Sequence, residues 1–377
     1  MPGRRAETPG YALDTMFAEI GERLEAGYTL PAGWYSDSAI LALERERIFK
    51  HTWQYACVTA EVAEPGNYYA TRAGHIPVVL VRDKDGNLNG FVNVCRHRGH
   101  VVMQGSGRRE TLQCPYHAWT YGLDGCLLRA PRSEREPGFD ADNYSLFPVQ
   151  VGTWGPFIFV NADLEADSLE ETLGVMPETI AETGIDLSSL KFHHRGEYVI
   201  EANWKIAVEN YLECYHCPVA HPGFSSVINV DPDEYALASS GYVSTQRGPV
   251  RSSVLEGRKQ APYDATGEID RSTSVFVFPN FTVDIIPGPP NMNAGSWIPI
   301  DERRTLGTYD YFFSEDVPQK TIEEMIAFNE QVGAEDNSLV ESVHAGLESG
   351  MVEHGRLLPT SEHLIQHFQR LVYSYLS

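Results

Sequence analysis

Cys95-Arg96-His97 and Cys114-Pro115-Tyr116-His117 bring two thiols and two imidazoles into one stretch of chain, with sixteen residues between the couples. Two thiolates on one iron and two imidazoles on another form the donor set of a Rieske [2Fe-2S] cluster, and two loops sharing that work would each supply one donor of each kind. Both couples do so. Neutral imidazoles carry less negative charge than thiolates, so such a cluster lies at a higher potential than an all-cysteine one and takes an electron from a ferredoxin-like donor. The competing reading is a structural zinc site, although zinc fingers usually pair Cys with Cys and His with His along the sequence. Gly99 and Pro115 suit tight loops and Asp124-Gly125 reads as a hairpin turn, which predicts a cluster held at the tips of two hairpins.

A second constellation runs from Asn203 to His221 and contains Glu213, His216 and His221. On a continuous helix two histidines five residues apart diverge by about 140°, too far to share an ion. Pro218 is expected to end the helix near His216 and leave His221 free to turn back. Two imidazoles and one carboxylate, with positions left open for oxygen, make the facial triad of non-haem Fe(II) oxygenases. Asp336, in Ala334-Glu335-Asp336-Asn337, is assigned as the third ligand, with Glu335 and Glu341 as alternatives. An isolated His pair is more often surface or satisfied core, so this assignment leans on the cluster upstream. Cys214 and Cys217 form a Cys-x-x-Cys that is read as incidental to His216 rather than as a redox dithiol.

These residues require two scaffolds, and the pattern predicts an α+β fold. Residues 1–51 read as an N-terminal helical segment packing with the catalytic domain, its helix running from Ser38 to Phe49 behind an Asp37 cap. Residues 52–163, rich in Val, Tyr, Phe and Thr and broken by Pro65-Gly66, Asp85-Gly86 and Asp124-Gly125, read as a small antiparallel β domain carrying both cluster loops. Residues 164–377 read as a larger α+β domain for the mononuclear iron, an antiparallel sheet flanked by helices. Helices are expected near 169–180 and 204–215, strands at 192–200, 275–286, 295–300 and 307–313, and three helical segments after Pro318, near Asn337 and near Glu362.

The chain has 377 residues and a net charge of −23, which argues against nucleic-acid or anionic-membrane binding. The opening Met1-Pro2-Gly3-Arg4-Arg5 has no apolar leader, and no apolar run is long enough to span a bilayer, so a soluble cytoplasmic protein is expected. Cys57, Cys126, Cys214 and Cys217 show no disulfide framework, in keeping with a reducing compartment. No Gly-x-Gly-x-x-Gly opens a βαβ unit. NAD(P)H is therefore expected to act only indirectly, through a separate reductase.

Over nearly its whole length the chain resembles the oxygenase component (α subunit) of Rieske non-haem iron oxygenases. The spacing of Glu213, His216 and His221 matches that family's acidic residue and two iron histidines. The resemblance implies a head-to-tail homotrimer in which Glu213 bridges to His117 of a neighbouring subunit. It also implies a reductase carrying flavin and a plant-type [2Fe-2S] centre. Ring-hydroxylating dioxygenases usually carry Asp at the bridging position. Glu213 within Asn-Tyr-Leu-Glu-Cys-Tyr-His-Cys, followed later by Glu335-Asp336 and Leu339-Val340-Glu341, is more similar to carnitine, glycine betaine and choline monooxygenases. That turns the expected substrate, taken with O2, toward a quaternary ammonium compound hydroxylated beside nitrogen, giving N-demethylation or C–N cleavage. A trimethylammonium group needs aromatic faces, for which Tyr211, Tyr215, Phe276, Phe278, Phe281 and Trp297 are the candidates. The alternatives are an oxygenase of aromatic rings or acids and, more remotely, a non-catalytic electron carrier.

Overall fold

The structure, a computed structural model, describes residues 9–257 and 261–377. The reading of Met1 to Arg5, like the first part of the segment expected over 1–51, lies outside the described residues. The chain divides into two compact units, Phe49–Thr172 and a second one in which the described residues up to Ile48 join Leu173–Ser377. The breaks therefore fall at 48/49 and 172/173, where 51/52 and 163/164 were expected.

In the contiguous unit, the strand Ile76–Arg82 explains why two cores form. Successive side chains of a strand point to opposite faces. Val79 and Val81 accordingly join a cluster containing Cys95, Cys114, Trp119 and Tyr121. Val78 and Leu80 join another with Cys57, Ile158 and Val160. The strand pairs with Leu88–Val92 and Asn67–Ala73 in an antiparallel sheet completed by Ser106–Arg108. The Asp124-Gly125 turn links Thr120–Tyr121 to Leu127–Arg129. Gly125 has φ +83°, and a Cβ there would lie 2.4 Å from the Phe91 ring.

The larger unit is built on a seven-stranded antiparallel sheet in the order Leu190–Ile200, Thr305–Ser314, Asn291–Pro299, Phe281–Ile285, Arg271–Val277, Val243–Pro249 and Ala236–Ser240. The run expected as one strand over 275–286 is two, split around Pro279, which has no N–H for a ladder. Ala236–Ser240 and Val243–Pro249 were not anticipated, since their small and polar residues give a weak strand signal. The two helical segments expected after Pro318 and near Asn337 are one helix of 30 residues, Gln319–Glu348. Gly333 within it costs only about 1 kcal/mol relative to Ala, too little to interrupt a helix anchored by buried Met325, Phe328 and Val340. The last helix, His363–Leu376, buries Leu364, Ile365, Phe368, Val372 and Leu376. No described helix is long and apolar enough to cross a membrane.

The helix leading to the candidate iron ligands is Trp204–Tyr211, capped by Asn203, whose side chain accepts from Lys205 N. It ends at Tyr211 rather than Tyr215, and Pro218 does not terminate it. Instead Pro218 occupies the first turn of a separate short helix, Cys217–Ala220, where its missing N–H leaves no bond unmade. Polar groups inside the unit fix this helix. Lys205 Nζ meets Glu44 Oε1 at 2.5 Å with both side chains fully buried, and Trp204 Nε1 donates to Glu44 Oε2 at 2.8 Å. Glu209 Oε1 accepts from Tyr35 at 2.7 Å and from Gln369 at 2.9 Å.

Burial pushes the Glu209 carboxyl from its usual 4.5 up to about 7, despite the Tyr35 and Gln369 hydrogen bonds that favour its ionised form. The folded protein thus holds this proton more tightly than the unfolded chain does. The resulting stabilisation is fully present below 4.5 and is lost as pH rises through about 7, a loss of roughly 3 kcal/mol at about 1.4 kcal/mol per pH unit. Glu209→Gln, which mimics the neutral acid, is expected to flatten the fall of the unfolding free energy, measured by urea titration, between pH 5 and pH 8 by most of that amount. Parallel profiles for wild type and variant would remove Glu209 as the cause.

Candidate active site

The two cluster loops repeat one backbone design. Cys95 N donates to His100 O at 2.8 Å and Gly99 N to Cys95 O at 3.0 Å; in the second loop Cys114 N donates to Trp119 O at 2.8 Å and Ala118 N to Cys114 O at 3.0 Å. The residue four after each cysteine takes positive φ, +73° at Gly99 and +56° at Ala118. Such a φ is easy for glycine but costs alanine about 1–2 kcal/mol, a strain that turns the second loop into a copy of the first.

Both sulfurs are buried and both imidazoles are exposed. His97 stacks on Trp119 at 5.0 Å between centroids and meets His117 edge-on at 4.7 Å. Tyr121 Oη accepts from Arg96 N at 3.0 Å and lies 3.3 Å from Cys95 Sγ, placed to donate to a thiolate there. Inward thiols and outward imidazoles fit a [2Fe-2S] cluster with its histidine side turned to solvent, where electrons can be exchanged.

In the larger unit, the chain beyond Tyr211 turns back on itself. Cys214 and Cys217 are joined in a disulfide, contrary to the expectation that the cysteines outside the cluster loops show no disulfide framework. The turn brings His216 Nε2 within 3.0 Å of His221 Nε2. Asp336 Oδ1, from the long helix, lies 2.9 Å from His221 Nε2 and 3.4 Å from His216 Nε2. Two donor atoms each about 2.1 Å from one ion and at right angles around it stand about 3.0 Å apart, so these three atoms fit a single metal. Carboxylates also hold the far side of each ring. Glu213 Oε1 bonds His216 Nδ1, and Glu335 Oε2 lies 2.7 Å from His221 Nδ1. Both rings are thereby directed Nε2-first toward the shared point. Glu341, the other alternative ligand, instead accepts from Glu201 N at 3.1 Å.

The electrostatics agree with a cation site. Burial alone would lower the His216 pKa, but hydrogen bonds and charge from Asp336 and Glu213 outweigh it and raise the value to about 9. Burial alone would raise Asp336, yet His216 and His221 together hold it below the usual carboxylate range. These groups favour positive charge between them.

A cavity of about 130 Å³ opens beside the three donors, lined by His216, His221 and Asp336 among others. Of the aromatic candidates, Tyr211 lies in its wall. The other five do not. Tyr215 is 62% exposed. Phe281 sits three residues from the lining Asp284, on the opposite face of its strand. Phe276 shares the face of Ser274 but is covered by Phe368, at 5.8 Å, and Phe278 packs on Phe368 and Tyr375. Trp297 lies against Tyr211 at 5.4 Å. The aromatic wall consists instead of Tyr309, Tyr311, Tyr235, Phe224 and Phe328 with Tyr211.

The sheet contributes a polar row that the sequence reading missed. Gln246, Ser274, Asp284, Asn293 and Tyr311 stand directly opposite one another on five adjacent strands, and all face the cavity. The available signal was a polar residue at an inward position between apolar ones, as in Val283-Asp284-Ile285.

Residues 52–148 match the family model for the Rieske [2Fe-2S] domain, and residues 187–377 match that for the ring hydroxylating alpha subunit (catalytic domain). The chain is 33% identical to the chloroplastic choline monooxygenase of Spinacia oleracea, over 97% of this chain and 83% of that protein. It is also 33% identical to the carnitine monooxygenase oxygenase subunit of Acinetobacter baumannii, over 93% and 95%. Among solved structures, the quaternary ammonium Rieske monooxygenase CntA in complex with an inhibitor superimposes with a TM-score of 0.83 at 33% identity, covering 93% of this chain and 96% of that one. Another structure of a quaternary ammonium Rieske monooxygenase, described in terms of carnitine oxidation and inter-subunit electron transfer, gives 0.82 at 32% over the same shares.

Proposed function

The chain belongs to the Rieske non-haem iron oxygenases, and from that footing we propose that it is the oxygenase component of a multicomponent monooxygenase hydroxylating a small quaternary ammonium compound. Its cofactors are a Rieske [2Fe-2S] cluster and a mononuclear iron. Cys95, His97, Cys114 and His117 hold the first; His216, His221 and Asp336 hold the second. When bound, the cluster passes single electrons and the iron activates dioxygen beside the substrate.

The chain's own residues do the rest. Glu213 and Glu335 keep the imidazoles of His216 and His221 in the ligating tautomer, with the proton on Nδ1. Tyr211, Tyr309 and Tyr311 present aromatic faces to a cation that has no hydrogen to donate. Hydroxylation of a carbon bound to nitrogen yields an unstable hemiaminal-type product, which breaks at the C–N bond. The electrons come from a flavin and [2Fe-2S] reductase using NADH or NADPH. They reach the mononuclear site from His117 of a neighbouring subunit in a homotrimer, with Glu213 at the junction.

The observation that carries this reading is the tyrosine-walled cavity immediately beside the His216, His221 and Asp336 donors. Choline, carnitine or glycine betaine is expected to stimulate oxygen uptake by the reconstituted system, as followed with an oxygen electrode. Stimulation by benzoate or phthalate while every ammonium compound fails would transfer the reading to an aromatic oxygenase. Iron content separates both from a bare electron carrier, which would hold the cluster's irons alone.

A further inference from the structure

Asp284 lies at the centre of the polar row, between Ser274 and Asn293, and is its only charged member. It is half-buried and lines the cavity. Its partners are neutral: Tyr211 Oη donates to Oδ1 at 2.8 Å, and the Ser274 hydroxyl also supports it. No Lys or Arg occurs among the described residues lining the cavity, whereas three carboxylates do, Glu213, Asp284 and Asp336. Glu213 and Asp336 are engaged with His216 and His221. Of the three, Asp284 has no positive partner among the described residues.

We propose that Asp284 is the counter-ion of the substrate's ammonium group, and that the cavity takes a methylated ammonium alcohol or amine without a carboxylate. This rests on the quaternary ammonium reading above and narrows it. A quaternary nitrogen offers no N–H, so it is held by diffuse attraction to a carboxylate and to aromatic faces, and Tyr211 supplies one such face while donating to Asp284. A betaine's own carboxylate would meet no Lys or Arg among the described residues of this wall and would be brought near Asp284, a like charge. Like charges brought together out of water are disfavoured. Burial pushes the Asp284 carboxyl up to about 6, partly offset by Ser274 and Tyr211, which leaves it mostly ionised at neutral pH.

The test uses the iron-loaded holoenzyme and compares binding of choline with that of dimethylbutanol, its uncharged carbon isostere, in wild type and in Asp284→Asn. Wild type is expected to bind choline about thirtyfold or more tightly than the isostere. In Asp284→Asn the ratio should fall by about tenfold, to the few-fold preference that the aromatic faces give by themselves, through loss of choline affinity with the isostere unaffected. A purely structural role would weaken both ligands together. In wild type, kcat/KM for glycine betaine and carnitine should lie about tenfold or more below that for choline. An unchanged ratio in Asp284→Asn, or betaine turned over as efficiently as choline, overturns the assignment while leaving the ammonium reading intact. If no ammonium compound stimulates oxygen uptake, the functional reading itself falls and this inference with it. Should the amide variant fold poorly, the wild-type ratio decides alone, since a value near unity excludes a counter-ion.

Discussion

Asp336→Ala is expected to strip the mononuclear iron from the holoenzyme and abolish substrate-dependent oxygen uptake while leaving the visible spectrum of the Rieske cluster unchanged. Asp336 supplies the only anionic donor of the three atoms that converge, 2.9 Å and 3.4 Å from the two histidine nitrogens. Without it, two neutral imidazoles remain to hold a dication. Loss of a group that only orients a ligand typically costs about 10–100-fold in metal affinity, so removing a ligand should exceed that range. Glu335→Ala is the informative comparison, because Glu335 touches the far nitrogen of His221. It should weaken iron binding within that range and recover activity when Fe(II) is added in excess. Iron per chain and oxygen uptake, measured on both variants, separate the roles. Retention of iron and turnover in Asp336→Ala with loss of both in Glu335→Ala would exchange the two assignments.

Glu213→Gln should keep both metal centres and the oligomer yet lower turnover by more than about tenfold. The Glu213 carboxylate works with both oxygens. Oε1 bonds His216 Nδ1, while Oε2 accepts from His216 N at 3.1 Å and from Tyr215 N. All three partners are donors when His216 carries its proton on Nδ1. An amide fits the same space, but its NH2 end must face one of those donors, so one bond is lost and the negative charge with it. If Glu213 also carries the electron path to a neighbouring subunit, stopped-flow mixing of the pre-reduced variant with substrate and oxygen should show slow reoxidation of the cluster. Reduction of the cluster by its reductase should stay at the wild-type rate. Wild-type reoxidation would refute the inter-subunit route and confine Glu213 to holding His216.

What could be read from the chain, and what could not, follows from how local each feature is. The Cys/His couples and the His216–His221 pair could be singled out because their residue types are chemically restrictive and their spacing is short, or repeated; Asp336, 115 residues beyond His221, was chosen beside Glu335 and Glu341 with no spacing to guide it, and the structure brings its carboxylate to the two rings. The way the chain brings the two histidines together was misread. The helix stops at Tyr211, and the turn is made by the segment before Cys217–Ala220 rather than by a proline break. The aromatic wall was the least legible part. Phe276 and Phe281 have suitable side chains, but which face of a seven-stranded sheet a residue occupies, and which helix covers that face, depends on register between strands far apart in sequence. Tyr309, Tyr311 and Asp284 reach the cavity by that register and carry no local motif.

The discontinuity of the larger unit bears on how the enzyme is assembled at the ribosome. Phe49–Thr172 is one uninterrupted stretch, and domains generally fold as units, N-terminal first, as the chain is made. Its cluster loops are therefore complete before His216, His221 or Asp336 has been translated. The helix Trp204–Tyr211 depends on Tyr35 and Glu44, made before it, and on Gln369, made well after it. Until Gln369 emerges, that helix lacks one of its buried partners, and the neighbouring iron ligands lack a finished frame. A nascent chain can thus present the four cluster donors in a folded unit before the three donors of the second site exist.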